Sequence, residues 1–492
     1  MPTHDMYNKL RGIRRTPLFG KQPCHAKPKN PIITSIRYIQ YQYKKWSCSV
    51  FLFPSIINTA SSEQSHSNPF IHKKGIKVQT IQEEETQEEH WKRNLYVCVF
   101  GSFTTLMAMT LVLPFLPVYI EQLGETDPES IIRWSGYTFS ATFLTAGLMA
   151  PVWGKFADHF GRKPILIRAS LGMAFCIALM GMVGNVQELF GLRLLIGILG
   201  GYASGATILV ATQTPKAHTG WAIGTHAAGM LAGNLLGPLV GGLLPGYIGI
   251  RNTFFLAAGV IFIAFLATSF LIKETSFRKK PLTRQTNTPS PNGFWQNAPR
   301  RNLVLLMLAS AALLMFANYS VEPIITLYMA SLHTLTKNIP LLAGIAISVT
   351  AFGSLLGSAR IGRLGDQKGH LCVLIACFLF TALTLLLQAF AWADWQFIVL
   401  RFLMGISLSG LMPAITALIR HNVSGHIAGT VLGYSTSAQY LGMVLGPLAG
   451  GMVANLYGMN AVFVMTAGIM ATAALLIAIT RKRQRNAAIP LI

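Results

Sequence analysis

Long apolar runs constrain the fold of this chain more than any other feature of its sequence. From Trp91 onward, runs of about 20 apolar residues recur, and a run of that length crosses a lipid bilayer as one helix. A helix satisfies its own backbone hydrogen bonds in lipid, so the Gly and Pro residues inside these runs do not argue against helices. The predicted spans cover twelve segments: 95–119, 134–156, 165–184, 189–211, 221–244, 253–272, 303–329, 341–359, 371–391, 397–418, 428–453 and 461–480.

The composition excludes a soluble domain and a disordered chain. Hydrophobic residues make up 52% of the 492 residues and charged residues 12%, whereas soluble domains carry roughly 25% charged residues. The apolar content is too high for disorder. The net charge of +23 could point to nucleic acid, but the positions of the basic residues relate it to membrane topology instead. The sequence therefore predicts an all-α membrane protein.

Basic residues concentrate in alternate connections between the predicted spans. By the positive-inside rule these connections lie in the cytoplasm. We therefore expect a multi-pass membrane protein with both termini in the cytoplasm. The basic connections hold Lys155, Arg162, Lys163 and Arg168; Lys273 to Arg301; Arg360, Arg363 and Lys368; and Arg481 to Arg485.

Residues 1–90 differ from the rest of the chain. Residues 1–62 hold ten Lys or Arg and one acid, Asp5, and an acidic run from Glu83 to Glu89 follows. Three interpretations stay open: a disordered cytosolic tail, a basic transit-like peptide, or a misassigned start codon. The segment 273–302 is polar, basic and rich in Pro, which is typical of a linker. These features predict a tail at 1–90, one half at 91–272, the linker at 273–302, a second half at 303–480 and a basic tail at 481–492.

The two halves contain an internal repeat. Four patterns of the first half recur in the second at an offset of 208 or 209 residues. Two halves of equal topology are parallel repeats about an axis along the membrane normal, with a binding site between them. The sequence thus predicts twelve transmembrane helices in two pseudo-symmetric six-helix halves. The paired patterns are Gly154–Lys163 with Gly362–His370, Arg193 with Arg401, Gly233–Gly242 with Gly442–Gly451, and Pro114 with Pro323.

These motifs resemble those of a known family. The segment Gly154–Leu166 resembles the signature between helices 2 and 3 of the major facilitator superfamily. The segment Gly233–Gly242 resembles the helix-5 signature of its drug:proton antiporters, and Pro114–Pro117 their helix-1 pattern. The stretch from Trp91 to about Arg483 is similar to the MdtG-type bacterial multidrug exporters, which have the twelve-span major facilitator fold.

The first motif predicts a cytosolic gate. Asp158 and Arg162 lie four residues apart, a spacing that allows an ion pair if the helix continues, although Gly161 indicates a turn. The resemblance implies that Asp158 faces the start of span 11 and helps to close the cytosolic side in the outward-open state. An ordinary topology loop is the alternative, and His370 degrades the second copy. The predicted gate comprises Gly154, Asp158, Gly161, Arg162, Lys163 and Asp366.

Glycines form bare stripes on two spans. Glycine recurs at every fourth position in span 5, from Gly229 to Gly241, and in span 4, from Gly197 to Gly205. Such stripes allow helices to approach closely, and Pro238 removes an amide donor and kinks span 5. The resemblance implies that this element seals the cavity and is typical of exchange. Its members are Gly233, Gly237, Pro238, Gly241 and Gly242.

Three residues are candidates for proton coupling. Among the acids of 91–492, Glu322 alone lies inside a predicted span, where a carboxyl group can take up and release a proton near neutral pH. A carboxylate that reaches outer water is the alternative. Arg193, inside span 4, needs a counter-charge or carbonyl partners, or else snorkels to the headgroups. His226 has chemistry suited to switching, but a packed, hydrogen-bonded role is also open.

A drug-binding cavity is mostly apolar and aromatic with a few polar groups. Residues of these types inside the spans are candidates for lining it, although ordinary helix packing or a lipid-facing position would also account for each. The candidates are Phe143, Phe316, Tyr319, Tyr434, Gln439 and Tyr440.

The resemblance implies a secondary active transporter of the bacterial inner (plasma) membrane. It would export amphipathic, drug-like small molecules from the cytoplasm by proton-coupled antiport with alternating access. We expect substrate, protons and the lipid bilayer as partners, a monomer, and neither a cofactor, a metal nor nucleic acid. No nucleotide-binding G-x-x-x-x-G-K-[ST] or metal-binding H-E-x-x-H motif occurs, so we do not expect an enzyme. A metabolite uniporter or symporter on the same fold, or a membrane receptor or scaffold that transports nothing, stays open.

Overall fold

The computed structural model describes residues 69–274, 301–332, 338–423 and 425–487. The predicted tail up to residue 68, the linker from 275 to 300 and the last five residues, 488–492, lie outside the described residues. By its contacts the chain divides after His72. The unit Lys73–Ile492 contains both predicted halves.

The first half contains six spans. Two of them, spans 1 and 4, are built from two helices each, because the backbone leaves the helical path at 112–115 and at 200–201. The helices are Pro69–Leu111 and Leu116–Gln122 (span 1), Pro128–Phe160 (span 2), Arg162–Met180 (span 3), Val186–Leu199 and Tyr202–Gln213 (span 4), Thr219–Ile248 (span 5) and Ile250–Leu271 (span 6).

The second half repeats this order. Span 7 is interrupted by a short 3₁₀ turn, Glu322–Ile324, at the place that corresponds to the break in span 1. Among the described residues all regular structure is helical. The helices are Arg301–Val321 and Ile325–Ser331 (span 7), Ile339–Lys368 (span 8), His370–Gln388 (span 9), Asp394–His421 (span 10), Gly425–Tyr457 (span 11) and Met459–Ala487 (span 12).

The twelve predicted spans are confirmed as helices, and eleven of them, within the part of the chain that the structure describes, are long and apolar enough to cross a membrane. Span 2 has the length, but its mean hydropathy is lower because polar side chains occupy its packed face. Ser135, Thr138 and Thr142 are buried there. Span 2 packs between span 4 and span 11 and completes the bundle.

Span 4 departs from its prediction as one continuous helix. Gly201 has a φ of 99°, in the left-handed region, and the first helix ends at Leu199. Gly197 and Gly205 therefore lie on two different helices and do not form a single stripe. The prediction of a continuous glycine stripe in span 4 was wrong because a Gly-Gly pair allows a left-handed residue that breaks the helix.

Equivalent tyrosines make the same tertiary hydrogen bond in both halves. The Tyr119 hydroxyl donates to the Met180 carbonyl oxygen at 2.6 Å. The Tyr328 hydroxyl donates to the Gln388 carbonyl oxygen at 2.7 Å. Each bond joins the second helix of span 1 or 7 to the end of span 3 or 9. The two halves therefore share tertiary contacts as well as sequence motifs.

The halves meet along two helix pairs, span 2 with span 11 and span 5 with span 8. A methyl group added at Gly136 would lie 2.7 Å from the Pro447 carbonyl oxygen, and one at Gly344 would press on the Pro238 carbonyl oxygen. We call the end of the bundle with Arg162 and Lys368 the basic end. Gly136 and Gly344 lie near the other end, which we call the opposite end. The tight contacts between the halves therefore include a seam close to the opposite end.

Candidate functional site

A cavity of about 280 Å³ lies between the two halves, and both halves contribute to its wall. Most of the lining is apolar, with a few polar and charged groups, as is usual for small-molecule sites. The lining residues are Leu106, Met109, Thr110, Leu113, Phe139, Thr142, Phe143, Arg193, Leu231, Asn234, Asn318, Tyr319, Glu322, Ile347, Thr350, Ala351, Ser354, Arg401 and Leu408.

Two arginines from equivalent positions reach this cavity. The side chains of Arg193 and Arg401 are only 3% and 2% exposed. In each of them Nε and Nη2 have no hydrogen-bond partner among the described residues. Burying unpaired donors is costly, and buried arginines inside membranes usually mark functional sites. Both guanidinium groups are therefore available to an acceptor atom of a ligand in the cavity.

One carboxyl group shares the cavity with these arginines. Glu322 begins the 3₁₀ turn of span 7, and Asn318 Nδ2 donates to Glu322 Oε1 at 3.1 Å. The ion pairs at Asp158 and Asp366 do not include Glu322. Glu322 is thus bound by a neutral amide rather than neutralised by a guanidinium group in contact with it.

A cluster of three aromatic rings crosses the boundary between the halves. The centroid of Phe143 is 5.3 Å from that of Phe139 and 5.0 Å from that of Tyr319. Edge-to-face pairs at this separation add to the packing. Because Tyr319 lies three residues before Glu322, the cluster places the contact between spans 2 and 7 next to the charged groups.

Two of the six predicted cavity residues, Phe143 and Tyr319, line the cavity. The other four, Phe316, Tyr434, Gln439 and Tyr440, are not part of its wall in this conformation. Tyr440 packs on span 2, since a methyl group added at Gly147 would lie 3.2 Å from its Cβ. Gln439 donates to the Ser435 carbonyl oxygen in its own helix.

His226 lies outside the cavity, buried between three spans. Its side chain is 1% exposed. Nε2 lies 2.8 Å from Ser102 Oγ of span 1, and Nδ1 lies 3.4 Å from Thr207 Oγ1 of span 4. This arrangement satisfies both ring nitrogens and corresponds to the packed, hydrogen-bonded alternative considered for this residue.

The predicted gate residues lie at the basic end. Arg162 Nη2 donates to Asp158 Oδ1 at 2.6 Å, and the Asp158 side chain is 71% exposed. Gly161 has a φ of 94°, as expected for the turn between spans 2 and 3. In the second copy, His370 Nε2 lies 3.8 Å from Asp366 Oδ1. The remaining members of the predicted gate, Gly154 and Lys163, lie on either side of Asp158 and Arg162 in the sequence.

Glu274 binds the turn of the gate from the end of span 6, and sequence reasoning had not singled it out. Its two carboxylate oxygens accept hydrogen bonds from the backbone N–H groups of Arg162, at 2.7 Å, and Lys163, at 2.9 Å. A carboxylate at a helix N-terminus is stabilised by the unpaired amides and the helix dipole. The turn after span 6 is therefore fixed to the start of span 3.

The antiporter-motif glycines press span 5 against its neighbours. A methyl group added at Gly233 would lie 2.6 Å from the Phe103 carbonyl oxygen of span 1, and Gly237 and Gly241 meet span 1 at Met107 and Leu111. The helix continues through Pro238. Gly242 faces Pro340 of the other half instead. The motif thus packs span 5 on span 1 and closes the seam with span 8.

Several cavity residues were absent from the predicted set, among them Phe139, Asn318 and Arg401. Phe139 lies four residues before Phe143, and Asn318 lies four residues before Glu322. A search for residues one helical turn away from each candidate would have found both, because such residues share a helix face. Arg401 could have been included on the strength of its repeat partner, Arg193. No group of three or more His, Cys, Asp or Glu side chains in the described ranges could hold a metal ion.

Comparison with known proteins decides the family. A model of the Major Facilitator Superfamily matches residues 98–357 and 311–490. The chain belongs to the Major Facilitator Superfamily. Multidrug resistance protein MdtG of Salmonella paratyphi C (strain RKS4594) is 41% identical over 385 residues, 77% of this chain and 93% of that relative. The protein of the same name from Salmonella typhi matches equally well. The family predicted from the motifs is thus confirmed, and the chain is a multi-pass membrane transporter.

Solved structures of transporters share the fold. A bacterial homologue of the human lysosomal transporter Spinster, in an inward-facing and unoccupied conformation, aligns with a TM-score of 0.62 over 79% of this chain and 96% of that one, at 15% identity. The nucleoside transporter NupG aligns with a TM-score of 0.63 over 78% of this chain and 99% of that one, at 14% identity. These likenesses confirm the twelve-helix fold with its two six-helix halves.

Proposed function

We propose that this protein exports amphipathic, drug-like compounds from the cytoplasm by proton-coupled antiport. The observation that supports it is a largely apolar cavity between the halves that holds one carboxyl group, Glu322, and two arginines with unpartnered donors. Relatives named multidrug resistance proteins, 41% identical, support the substrate class. An apolar wall with few polar groups suits ligands of varied shape better than one defined metabolite.

The basic end faces the cytoplasm in this proposal, and both termini lie on that side, in the inner membrane of a bacterium. The positive-inside rule supports this orientation, because Arg162, Lys163, Arg363 and Lys368 lie at the basic end. The seam at Gly136 and Gly344 then lies on the outer side. A compound from the cytoplasm would then reach the cavity when the halves part at the basic end.

Glu322 carries the proton. When the cavity opens outward, its carboxyl group takes up a proton from the acidic side. When the cavity opens inward, the proton leaves to the cytoplasm and a substrate enters. A ligand shifts a two-state equilibrium only through a difference in its affinity for the two states. Since proton and substrate use one cavity in opposite conformations, each turnover exchanges one for the other.

The gate residues Asp158, Arg162 and Lys163 act in the outward-open state. There the basic ends of spans 2 and 11 approach each other, so that Asp158 meets the start of span 11. In the present conformation the Asp158 carboxylate instead pairs with Arg162 and is largely exposed. The contact between Asp158 and the start of span 11 can then form when the cavity closes toward the cytoplasm.

Everted membrane vesicles test the proposal. Their interior is acidified and followed by a pH-sensitive dye, and three probes that share one ring system are added outside: pyrenebutyrate, pyrenebutanol and pyrenebutyltrimethylammonium. We expect at least one probe to discharge the gradient in vesicles with this protein. The Glu322→Gln variant should lose the response by at least about tenfold, equivalent to about 1.4 kcal/mol. Vesicles without the protein correct for protons carried by the probes themselves.

Glu129→Gln is the matched control, because Glu129 is an exposed acid in the first turn of span 2. Discharge that persists in Glu322→Gln would move proton coupling to another group. Uptake of a probe that leaves the gradient intact would contradict antiport and favour a uniporter. Absence of any response from folded protein would favour a metabolite carrier or a protein that transports nothing.

A further inference from the structure

Span 4 is interrupted between its two helices, and the break leaves carbonyl groups without their helical donors. Val186–Leu199 ends at Gly200, and Tyr202–Gln213 begins after Gly201, which has a φ of 99°. In a membrane each carbonyl group without a donor is costly. A break of this kind therefore needs donors from neighbouring spans.

Two side chains supply these donors. Trp153 Nε1 of span 2 donates to the Ile198 carbonyl oxygen at 2.8 Å. Arg168 of span 3 donates through Nη2 to the Gly200 carbonyl oxygen at 2.9 Å and through Nη1 to the Ile198 carbonyl oxygen at 3.4 Å. The guanidinium carbon of Arg168 also lies 3.4 Å from the centre of the Trp153 ring. A cation is favourable both over an indole face and at a helix C-terminus.

The two helices of span 4 are bound to different neighbours. The first helix is bound to span 2: Thr142 Oγ1 donates to the Arg193 carbonyl oxygen at 3.1 Å, and Thr145 Oγ1 to that of Leu194 at 2.8 Å. The second helix is bound to span 6 instead, because the Tyr202 hydroxyl oxygen lies 2.7 Å from Thr268 Oγ1. The break therefore separates a helix that carries Arg193 into the cavity from a helix bound to the rest of the first half.

The equivalent position in the second half has neither the break nor the donors. Span 10 is one helix, Asp394–His421. At an offset of 208 residues, Arg168 corresponds to Ala376 and Trp153 to Ile361. Gly200 and Gly201 correspond to Leu408 and Ser409 in the middle of that helix. The break and its two donors thus occur together in one half and are absent together from the other.

We propose that Arg168 and Trp153 are positioning residues for Arg193: by binding the carbonyl groups at the break, they fix the helix that holds the Arg193 guanidinium in the cavity. Neither side chain lines the cavity. The inference rests on the proposed function, in which the substrate binds in the cavity that Arg193 lines. It adds that the break at Gly200 and Gly201, which we call the joint of span 4, has a geometry set by side chains of spans 2 and 3.

A double-mutant cycle tests the proposal, with probe-driven proton release from everted vesicles as the readout. Arg168→Ala and Arg193→Gln should each lower the rate by roughly tenfold, and the double variant should be no slower than Arg193→Gln alone, because both changes disable one group. Losses that multiply in the double variant would show that Arg168 acts independently of Arg193 and would overturn the proposal. Arg133→Ala, an exposed arginine of span 2, is the matched control.

A distance across the break provides a readout independent of transport. Spin labels on cysteines introduced at Gln187 and Thr212, both exposed, report the relative position of the two helices in a background without native cysteines. We expect Arg168→Ala to broaden the distance distribution, Arg133→Ala to leave it unchanged, and Arg168→Lys to restore it in part. A distribution that stays narrow in Arg168→Ala would overturn the proposal.

Milder variants keep the test valid if Arg168→Ala does not fold. Trp153→Phe removes the indole N–H donor but keeps an aromatic face for Arg168, so we expect a smaller loss, roughly twofold to threefold, again absent in the Arg193→Gln background. If Arg193→Gln alone leaves transport unchanged, the role of Arg193 in the proposed function fails. The label distances then still decide whether Arg168 fixes the joint.

Discussion

The two halves of this transporter share a scaffold but differ in the groups that they bring to the cavity. Arg193 and Arg401 occupy equivalent positions in the repeat, as do Thr142 and Thr350. The acid has no such partner: at an offset of 209 residues, Glu322 corresponds to Leu113. A symmetric bundle thus encloses an asymmetric site.

The asymmetry extends to the neighbours of these residues. On span 7, Asn318 and Tyr319 surround Glu322, whereas their equivalents on span 1 are Met109 and Thr110. On the other walls the pattern reverses, since Phe139 and Phe143 of span 2 correspond to Ile347 and Ala351 of span 8. Duplication therefore explains where the lining residues lie. Later divergence explains why one half provides the carboxyl group and the other provides most of the aromatic surface.

Moving the acid to the other half tests most directly whether the difference between the halves matters for function. We expect Glu322→Leu to abolish proton release, a loss of at least about tenfold. Adding Leu113→Glu should restore no more than about a fifth of the rate, because Met109 cannot donate a hydrogen bond to the new carboxylate as Asn318 does to Glu322. Proton release in everted vesicles measures both variants.

Adding Met109→Asn to the exchanged pair gives the matched test. A rate clearly above that of the simple exchange would show that the surroundings of the acid, rather than its half, make it function. Full recovery in the simple exchange of Leu113→Glu with Glu322→Leu would contradict the importance of those surroundings.

Replacing equivalent glycines of the two halves by alanine should destabilise the closed seam to different extents. A methyl group added at Gly242 would lie 2.8 Å from Leu341 Cα, whereas one added at Gly451 would lie 3.4 Å from the Ile132 carbonyl oxygen. We expect Gly242→Ala to destabilise the closed seam by about 1–3 kcal/mol and Gly451→Ala to have little effect. Labelling of a cysteine at Leu113 by an impermeant maleimide added at the opposite end measures seam opening.

Native cysteines are replaced in this experiment, and the Leu113→Cys protein without a glycine substitution is the reference. Equal labelling in the two alanine variants would contradict the unequal packing of the seam. Greater labelling in Gly451→Ala would place the tighter contact on the span 2 and span 11 side.

The smallest expected effect concerns the amide that binds the acid. Asn318→Ala removes one hydrogen bond to Glu322, which is worth about 1 kcal/mol, so we expect coupled transport to fall by roughly fivefold. Met109→Ala changes the equivalent position of the first half, where no acid is present, and should leave coupling close to wild type. Initial rates of proton release at saturating probe concentration measure both.

Equal losses in Asn318→Ala and Met109→Ala would mean that cavity volume, rather than the hydrogen bond, sets the rate. An unchanged rate in Asn318→Ala would show that Glu322 works without this partner.

The spans were predictable because their signal is local. A run of about 20 apolar residues must be helical in lipid wherever its neighbours lie. Even so, the break at Gly200 and Gly201 was missed, because isolated glycines are tolerated in membrane helices and only the donors of Trp153 and Arg168 show that this pair interrupts one. Among the predicted site residues, Glu322, Arg193, Phe143 and Tyr319 line the cavity.

The sequence by itself determined the twelve spans, the two repeated halves and the family, since hydropathy and motif spacing are properties of contiguous residues. Only the tertiary structure decided which faces of spans 1, 2, 4, 5, 7, 8 and 10 meet around one cavity. It also decided that His226 is bonded elsewhere and that Glu274 binds the gate turn. The physical reason is that these contacts join residues far apart in the chain, and helix rotation and crossing depend on packing, which no single span encodes.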